Sequence, residues 1–221
     1  MKPSRVLLVV ILAVAAFYIG SFGALGSSAP TIESSGEEIV AWFSANGTAA
    51  KTYAWCLAFF SLGLGIFGGQ VASLLPRPHA FICFGGVIGW AITAQIQSWF
   101  WAGMAFHPQD LAPGAARVLF DIPTFWGPVV NGSSATMAAP FVVLGLGASQ
   151  LVPRWLGWLS LVFLLEQAIE TMTIFGQSGF IAPGGVMNVY IGGLIGFLWI
   201  GGLTRWAMMR LDSTPEPKPT G

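Results

Sequence analysis

The sequence predicts an all-α polytopic membrane protein: a bundle of six transmembrane helices, N-in and C-in, with a short extracytoplasmic amphipathic helix. Two observations support this prediction, the composition and the spacing of apolar residues along the chain. Of the 221 residues, 55% are hydrophobic and 8% are charged, whereas soluble domains carry about 25% charged residues. The mean hydropathy is +0.73. In addition, apolar windows of about 20 residues recur along the chain, which is the length that a helix needs to cross a bilayer.

The six windows divide a single predicted domain over residues 1–210. They lie at residues 5–26, 52–75, 80–105, 120–149, 154–175 and 185–208. The fourth window contains Pro123, Pro128 and Pro140, so we expect this span to be kinked or preceded by a separate short helix. Residues 211–221 are mostly polar and rich in proline, and we expect them to form a disordered cytoplasmic tail.

The first window has one alternative interpretation. It follows Lys2 and Arg5, and a basic start before an apolar run is also typical of a cleaved signal peptide. The apolar run continues for about 20 residues, whereas the core of a signal peptide has about 7–15. The length therefore favours a retained first helix, and cleavage of residues 1–26 stays open as the alternative.

The basic residues indicate the orientation, because cytoplasmic loops carry the excess of Lys and Arg. With both termini inside, the cytoplasmic side holds Lys2, Arg5, Arg77, Arg154, Arg205, Arg210 and Lys218. Lys51 and Arg117 then lie outside. We therefore expect a multi-pass protein of the cytoplasmic membrane, with the lipid bilayer as its solvent. The net charge of zero gives no electrostatic basis for a nucleic-acid partner.

A further helix is expected between the first two windows. Ser35 is followed three residues later by Glu38, which is the spacing of a capping box, and the apolar stretch IVAWF comes next. We expect this helix to end near Asn46 and to lie on the outer membrane surface or over the end of the bundle.

Two acidic residues lie inside the fifth window. Glu166 and Glu170 are four residues apart, so they share one face of the helix. A rise of about 1.5 Å per residue places Glu166 near the middle of the membrane and Glu170 about 6 Å nearer the outer face. Ionisable groups at this depth are costly and usually face the bundle interior or a water-filled cavity. They are therefore candidates for function.

Polar residues of three other windows lie at comparable depth on this topology. Gln95 and Gln97 belong to the third window, Asp121 and Asn131 to the fourth, and Asn188 to the start of the sixth. We expect these groups to line an outward-facing polar cavity together with the two acids. Such a cavity would bind or transport a cation, a proton or a small polar ligand.

A second interpretation of the acids stays open beside this one. A protonated Glu that bonds to Gln or Asn on another helix serves as interhelical glue. The chain would then be a structural or accessory subunit that docks a membrane protein partner or forms a homo-oligomer. No motif for a metal, a cofactor or a catalytic nucleophile is legible, which favours a protein that is not an enzyme. Pairs of glycines four apart, such as Gly192 and Gly196, predict helix contacts.

Three stretches of the chain carry a resemblance to a known family. They are EEIVAWF after the first span, RVLFD at residues 117–121 and LVPRWLGWLSLV at residues 151–162. In their order and setting the chain resembles a group of small bacterial integral membrane proteins that share a domain of unknown function. The resemblance implies a single six-helix membrane domain with its first span retained. It implies no activity, substrate or site.

Overall fold

The computed structural model describes residues 2–26 and 28–213 of the chain, and in these residues it contains helices and no strands. The α-helices are α1 (Pro3–Leu25), α2 (Gly36–Ala72), α3 (His79–Met104), α4 (Pro113–Thr124), α5 (Trp126–Leu146), α6 (Arg154–Glu170) and α7 (Gly193–Ser213). Short 3-10 helices lie at Pro108–Asp110, Thr171–Phe175 and Gly179–Ile181. A π-helix, Met187–Gly192, runs directly into α7.

Within residues 2–26 and 28–213, six helical stretches are long and apolar enough to cross a membrane. They are Pro3–Leu25, Gly36–Ala72, His79–Met104, Pro113–Leu146, Arg154–Phe175 and Met187–Ser213. The six predicted spans are thus confirmed by length and composition, and the protein is a multi-pass membrane protein.

The helix expected before the second span is the first part of α2 and not a separate element. Its capping box is confirmed, because Glu38 N donates to Ser35 Oγ at 3.2 Å and Ser35 N donates to Glu38 Oε2 at 2.7 Å. Asn46 has non-helical backbone angles (φ −121°, ψ 26°), and its side-chain amide donates to the carbonyl of Trp42. A side chain that bonds to the preceding turn in this way competes with the helix, and α2 is kinked there.

The separate short helix expected at the start of the fourth span is confirmed as α4. The break falls at Phe125, between Pro123 in the last turn of α4 and Pro128 in the first turn of α5. Proline is tolerated in a first turn because the N–H groups there have no partner within the helix. At the other end of the chain, α7 extends through Ser213, so residues 211–213 are helical and not part of a disordered tail. The rest of the expected tail, residues 214–221, lies outside the described residues.

Helix packing brings the start of α1 and the end of α7 to the same end of the bundle. α1 packs against α2 and α7, α3 lies between α2 and α5, and α6 packs against α5 and α7. Ser4 Oγ near the start of α1 donates to Asp212 Oδ1 near the end of α7 at 2.6 Å. An even number of spans requires this arrangement. The cytoplasmic location of this end stays a prediction from the distribution of Lys and Arg.

α5 and α6 pack closely through two glycines. A Cβ atom placed on Gly145 would lie 2.6 Å from the Cα atom of Gly157, so the two backbones touch at a point where no side chain fits. Further along these helices, Phe141, Phe163 and Trp199 are fully buried between α5, α6 and α7. This packing fixes the rotation of α6 and therefore the direction in which its acidic face points.

Candidate functional site

Glu170 lies at the end of α6 and is buried, with 2% of its surface exposed. Its carboxyl group accepts hydrogen bonds from three side-chain amides. Asn131 Nδ2 of α5 lies 3.0 Å from Oε2, Gln167 Nε2 lies 3.3 Å from the same oxygen, and Asn188 Nδ2 of the π-helix lies 3.4 Å from Oε1. Three chain segments therefore meet at one acidic side chain.

Glu166 lies one turn before Glu170 and is half-buried. Gln167 connects the two acids, because its Nε2 also donates to Glu166 Oε2 at 2.8 Å. The amide of Gln167 is oriented in turn by Ser134 of α5, whose hydroxyl donates to Oε1. The second carboxyl oxygen of Glu166 is buried and has no hydrogen-bond partner in the part of the chain that the structure describes. The network thus has one unused acceptor.

Two glycines make room for this network. A Cβ atom on Gly192 would lie 2.7 Å from Cδ of Glu170, and one on Gly127 would lie 2.8 Å from Cγ of Asn188. Both distances are shorter than real Cβ contacts. Gly192 thus lies at a contact between helices, as predicted, and its missing side chain also provides the space for a carboxyl group. Gly196, by contrast, lies at ordinary contact distance from the Phe163 ring, as packing requires.

A cavity of about 350 Å³ opens beside the network. Side chains of α1, α2, α3, α5, α6, the π-helix and α7 form its walls, and most of them are apolar. Its polar lining includes Tyr18, Asn131, Gln167, Glu170, Asn188 and Arg205. Glu170 is thus accessible from a space within the bundle although it is covered by protein.

The structure brings together part of the predicted set. Asn131, Asn188 and Glu170 are in contact, and Glu166 joins them through Gln167. Glu170 therefore faces other helices, whereas the hydrogen bond of Glu166 is to Gln167 of its own helix.

Gln95, Gln97 and Asp121 lie elsewhere, which corrects the expectation that they converge on the acids. Gln95 is exposed and donates to Ser61 Oγ of α2 at 3.1 Å. Gln97 Nε2 donates to the carbonyl of Pro123 at 3.4 Å, and Asp121 pairs with Arg117. Depth along a span could be estimated from the sequence, but the direction in which each side chain points could not.

Two members of the network were missed at the sequence level. Gln167 stands between the two acids inside an apolar span. It therefore lies at the same depth in the membrane, and the argument that made the acids candidates applies to it as well. Ser134 follows Asn131 by three residues and therefore shares its face of α5. A serine is common at helix contacts in membranes, and its position alone did not distinguish it.

Arg117, one of the two basic residues predicted outside, has a structural role. It forms an ion pair with Asp121 at 2.9 Å, and its guanidinium donates to the backbone carbonyls of Ile32 and Ser34. The loop before α2 is thereby held against α4. On the other side of this loop, Glu33 Oε1 accepts a hydrogen bond from Gly179 N at 3.3 Å. The loop is thus fastened to two segments.

We expect Arg117→Ala to loosen this loop. Hydrogen bonds from a charged donor contribute about 1.5–3 kcal/mol each when buried, and partial exposure of Arg117 lowers that figure, so the variant should lose about 1–2 kcal/mol of unfolding free energy. Cleavage after Glu33 by a glutamate-specific protease should become several-fold faster. Lys51→Ala, at the other basic residue of this side, is the control and should leave the rate unchanged. Equal rates for both variants would contradict the contacts of Arg117.

Comparison of the chain with protein-family models, with curated proteins and with solved structures finds no match in any of the three. The resemblance to a bacterial group therefore stays a prediction. Among the described residues, no group of three or more His, Cys, Asp or Glu side chains is placed to hold a metal ion. The function is accordingly inferred from the surroundings of Glu170.

Proposed function

We propose that this protein, in the cytoplasmic membrane with both termini inside, binds a cation, a proton or a small polar ligand at Glu170. One observation supports the proposal above all: a buried carboxyl group lies on the wall of a largely apolar cavity and is contacted there by neutral amides. Burial of a carboxylate without an opposite charge is costly. A proton or a cationic ligand in the cavity would supply that charge.

The size and lining of the cavity agree with this role. Small-molecule sites have volumes of about 300–1,000 Å³ and combine apolar walls with a few polar groups. The cavity beside Glu170 has about 350 Å³ and the same combination. The π-helix that carries Asn188 adds to this, because π-helical turns occur frequently at functional sites.

A second candidate function is supported by the same hydrogen bonds. Asn131 and Asn188 join α5 and the π-helix to α6 through Glu170, which is what interhelical glue would do. Hydrogen bonds of this kind contribute about 0.6 kcal/mol on average in membranes. On this interpretation the chain is a structural or accessory subunit, and no soluble ligand affects its stability through Glu170.

A thermal-shift screen of the purified chain distinguishes the two functions. Na⁺, K⁺, NH₄⁺ and Mg²⁺ are added at constant ionic strength, and the pH is varied in a second series. If the site binds one of these ions, a concentration of 100 times the Kd raises the unfolding free energy by about 2.7 kcal/mol. We expect at least one condition to raise the Tm of the wild type and of Glu37→Gln, whose side chain is exposed.

The same condition should have little effect on Glu170→Gln or on the double variant with Glu166→Gln. Equal responses of all four proteins to every cation and pH would contradict binding of a proton or of these four cations at Glu170 and would favour interhelical glue.

A further inference from the structure

We infer that the ligand of the cavity is an organic cation with an apolar body, whose charged nitrogen or phosphorus centre lies near Glu170. This inference rests on the proposed binding function and narrows it to one class of ligand. It follows from the distribution of charge along the cavity, from the apolar and aromatic lining, and from the exposure of two lining residues on the surface of the bundle.

The charged groups of the cavity lie at its two ends. Of its lining residues in the described chain, Glu170 is the one acid and Arg205 the one base. Gly192 is in contact with Glu170, and Arg205 follows it by 13 residues. At about 1.5 Å per residue, this places Arg205 about 20 Å from the acid along the helix. A cation in the cavity would therefore meet the carboxyl group without competition from Arg205.

A bare metal ion fits this site poorly. Ca²⁺ takes six to eight oxygen ligands, and Mg²⁺ requires a near-octahedral set. Asn131, Asn188 and Gln167 all turn their amide nitrogens, and not their oxygens, towards Glu170. The carboxyl group is thus the anionic acceptor at this end, while most of the remaining cavity wall is apolar. A ligand with one positive charge and an apolar body matches both the carboxyl group and the apolar wall.

The aromatic lining supports the same class of ligand. Six aromatic side chains face the cavity: Tyr18, Phe22, Phe60, Trp90, Phe163 and Phe197. Aromatic faces attract cations, and quaternary ammonium groups are recognised in proteins by several such rings together. Their apolar surface would also cover the body of the ligand. A small hydrated ion would gain neither contact.

Two aromatic residues of the cavity lining are also exposed on the surface of the bundle. Phe22 of α1 is 44% exposed and Phe197 of α7 is 56% exposed, and both line the cavity. In a membrane-spanning bundle, side chains exposed between two helices at this depth contact acyl chains. A ligand with an apolar body concentrates in the bilayer and could enter between α1 and α7 from there.

Equilibrium dialysis of the full chain in a non-ionic detergent tests this inference. The probe is radiolabelled tetraphenylphosphonium, a monocation with four phenyl groups. Triphenylphosphine oxide, which has a similar body without net charge, and tetramethylammonium, which has the charge without the body, serve as competitors. We expect saturable binding of the probe. Each competitor should displace the radiolabelled probe at least 10-fold less well than the same concentration of unlabelled tetraphenylphosphonium does.

Three variants keep the test independent of folding defects. Glu170→Gln should weaken binding of the probe at least 10-fold, while Glu37→Gln should leave it unchanged. Gly193 lines the cavity, and a Cβ atom there would meet nothing within 4 Å. Gly193→Leu should therefore fill the cavity without touching the hydrogen bonds of Glu170, and should weaken binding of the probe several-fold.

The outcomes separate the inference from the proposed function. If Na⁺, K⁺, NH₄⁺, Mg²⁺ or protons stabilise the chain through Glu170 and the probe does not bind, the organic cation is overturned and the binding function stands. If triphenylphosphine oxide displaced the probe as well as unlabelled tetraphenylphosphonium does, the positive charge of the ligand would have no role in binding, and the inference would be overturned. If neither the probe nor any inorganic cation or pH change acts through Glu170, both proposals fail.

Discussion

Gly192→Ala is expected to lower the unfolding free energy of the protein by about 1–3 kcal/mol, the usual cost of extra atoms in a packed interior. The added methyl group would overlap the carboxyl group of Glu170. That group could move away only by leaving the amides of Asn131 and Asn188, which would then lack an acceptor. Unfolding in mixed micelles of increasing SDS content, followed by tryptophan fluorescence, measures the loss.

Gly193→Ala is the matched control, one residue further along the same helical stretch. A Cβ atom at Gly193 would meet nothing within 4 Å. Because Ala is favoured over Gly in a helix by about 1 kcal/mol, this variant should be neutral or more stable than the wild type. A Gly192→Ala protein as stable as Gly193→Ala would show that the carboxyl group of Glu170 does not lie against Gly192.

Glu170→Leu is expected to destabilise the protein by about 3 kcal/mol. It would leave the amide groups of Asn131 and Asn188 without their acceptor, whereas Gln167 Nε2 keeps Glu166 Oε2. Each unpaired buried donor costs about 1–3 kcal/mol. Because Asn188 is half-buried and the amides can turn to other partners, the total for the two donors should fall in the lower half of about 2–6 kcal/mol. Glu170→Gln keeps one carbonyl oxygen and should lose less. The same SDS titration provides the values.

The sign of this effect distinguishes two positions of the side chain. If Glu170 pointed at acyl chains, replacing it by Leu would remove a buried polar group from lipid and would stabilise the protein. Glu37→Leu, at an exposed residue near the start of α2, should change the free energy by less than about 0.5 kcal/mol. A neutral or stabilising effect of Glu170→Leu would contradict the structure of the site.

The elements that the sequence predicted well depend on local properties. Each span is an apolar stretch of membrane length, the capping box depends on two residues three apart, and the break before α5 follows from Pro123 and Pro128. None of these features requires knowledge of a neighbouring helix. They could therefore be derived from a single chain.

The composition of the site depends on the rotation of each helix about its own axis, which one sequence does not reveal. The spans are apolar on most sides, so hydrophobicity does not distinguish the face that meets protein from the face that meets lipid. α3 shows the consequence: Ser98 donates to the carbonyl of Ala54 at 2.7 Å, and Gln95 on the same side of α3 therefore bonds to α2 and not to the acids. Depth alone had placed Gln95 in the cavity.

The central claim is that Glu170 points into the bundle and bonds to Asn131. A double-mutant cycle on Asn131→Ala and Glu170→Ala, measured by SDS unfolding, tests it most directly. Side chains in contact show coupling energies of about 0.5–3 kcal/mol, whereas separated residues are additive within about 0.3–0.5 kcal/mol. We expect a coupling of about 1 kcal/mol for this pair and additivity for the control pair Gln95→Ala and Glu170→Ala. Additivity of Asn131 and Glu170, or coupling of Gln95 and Glu170, would contradict the site described here.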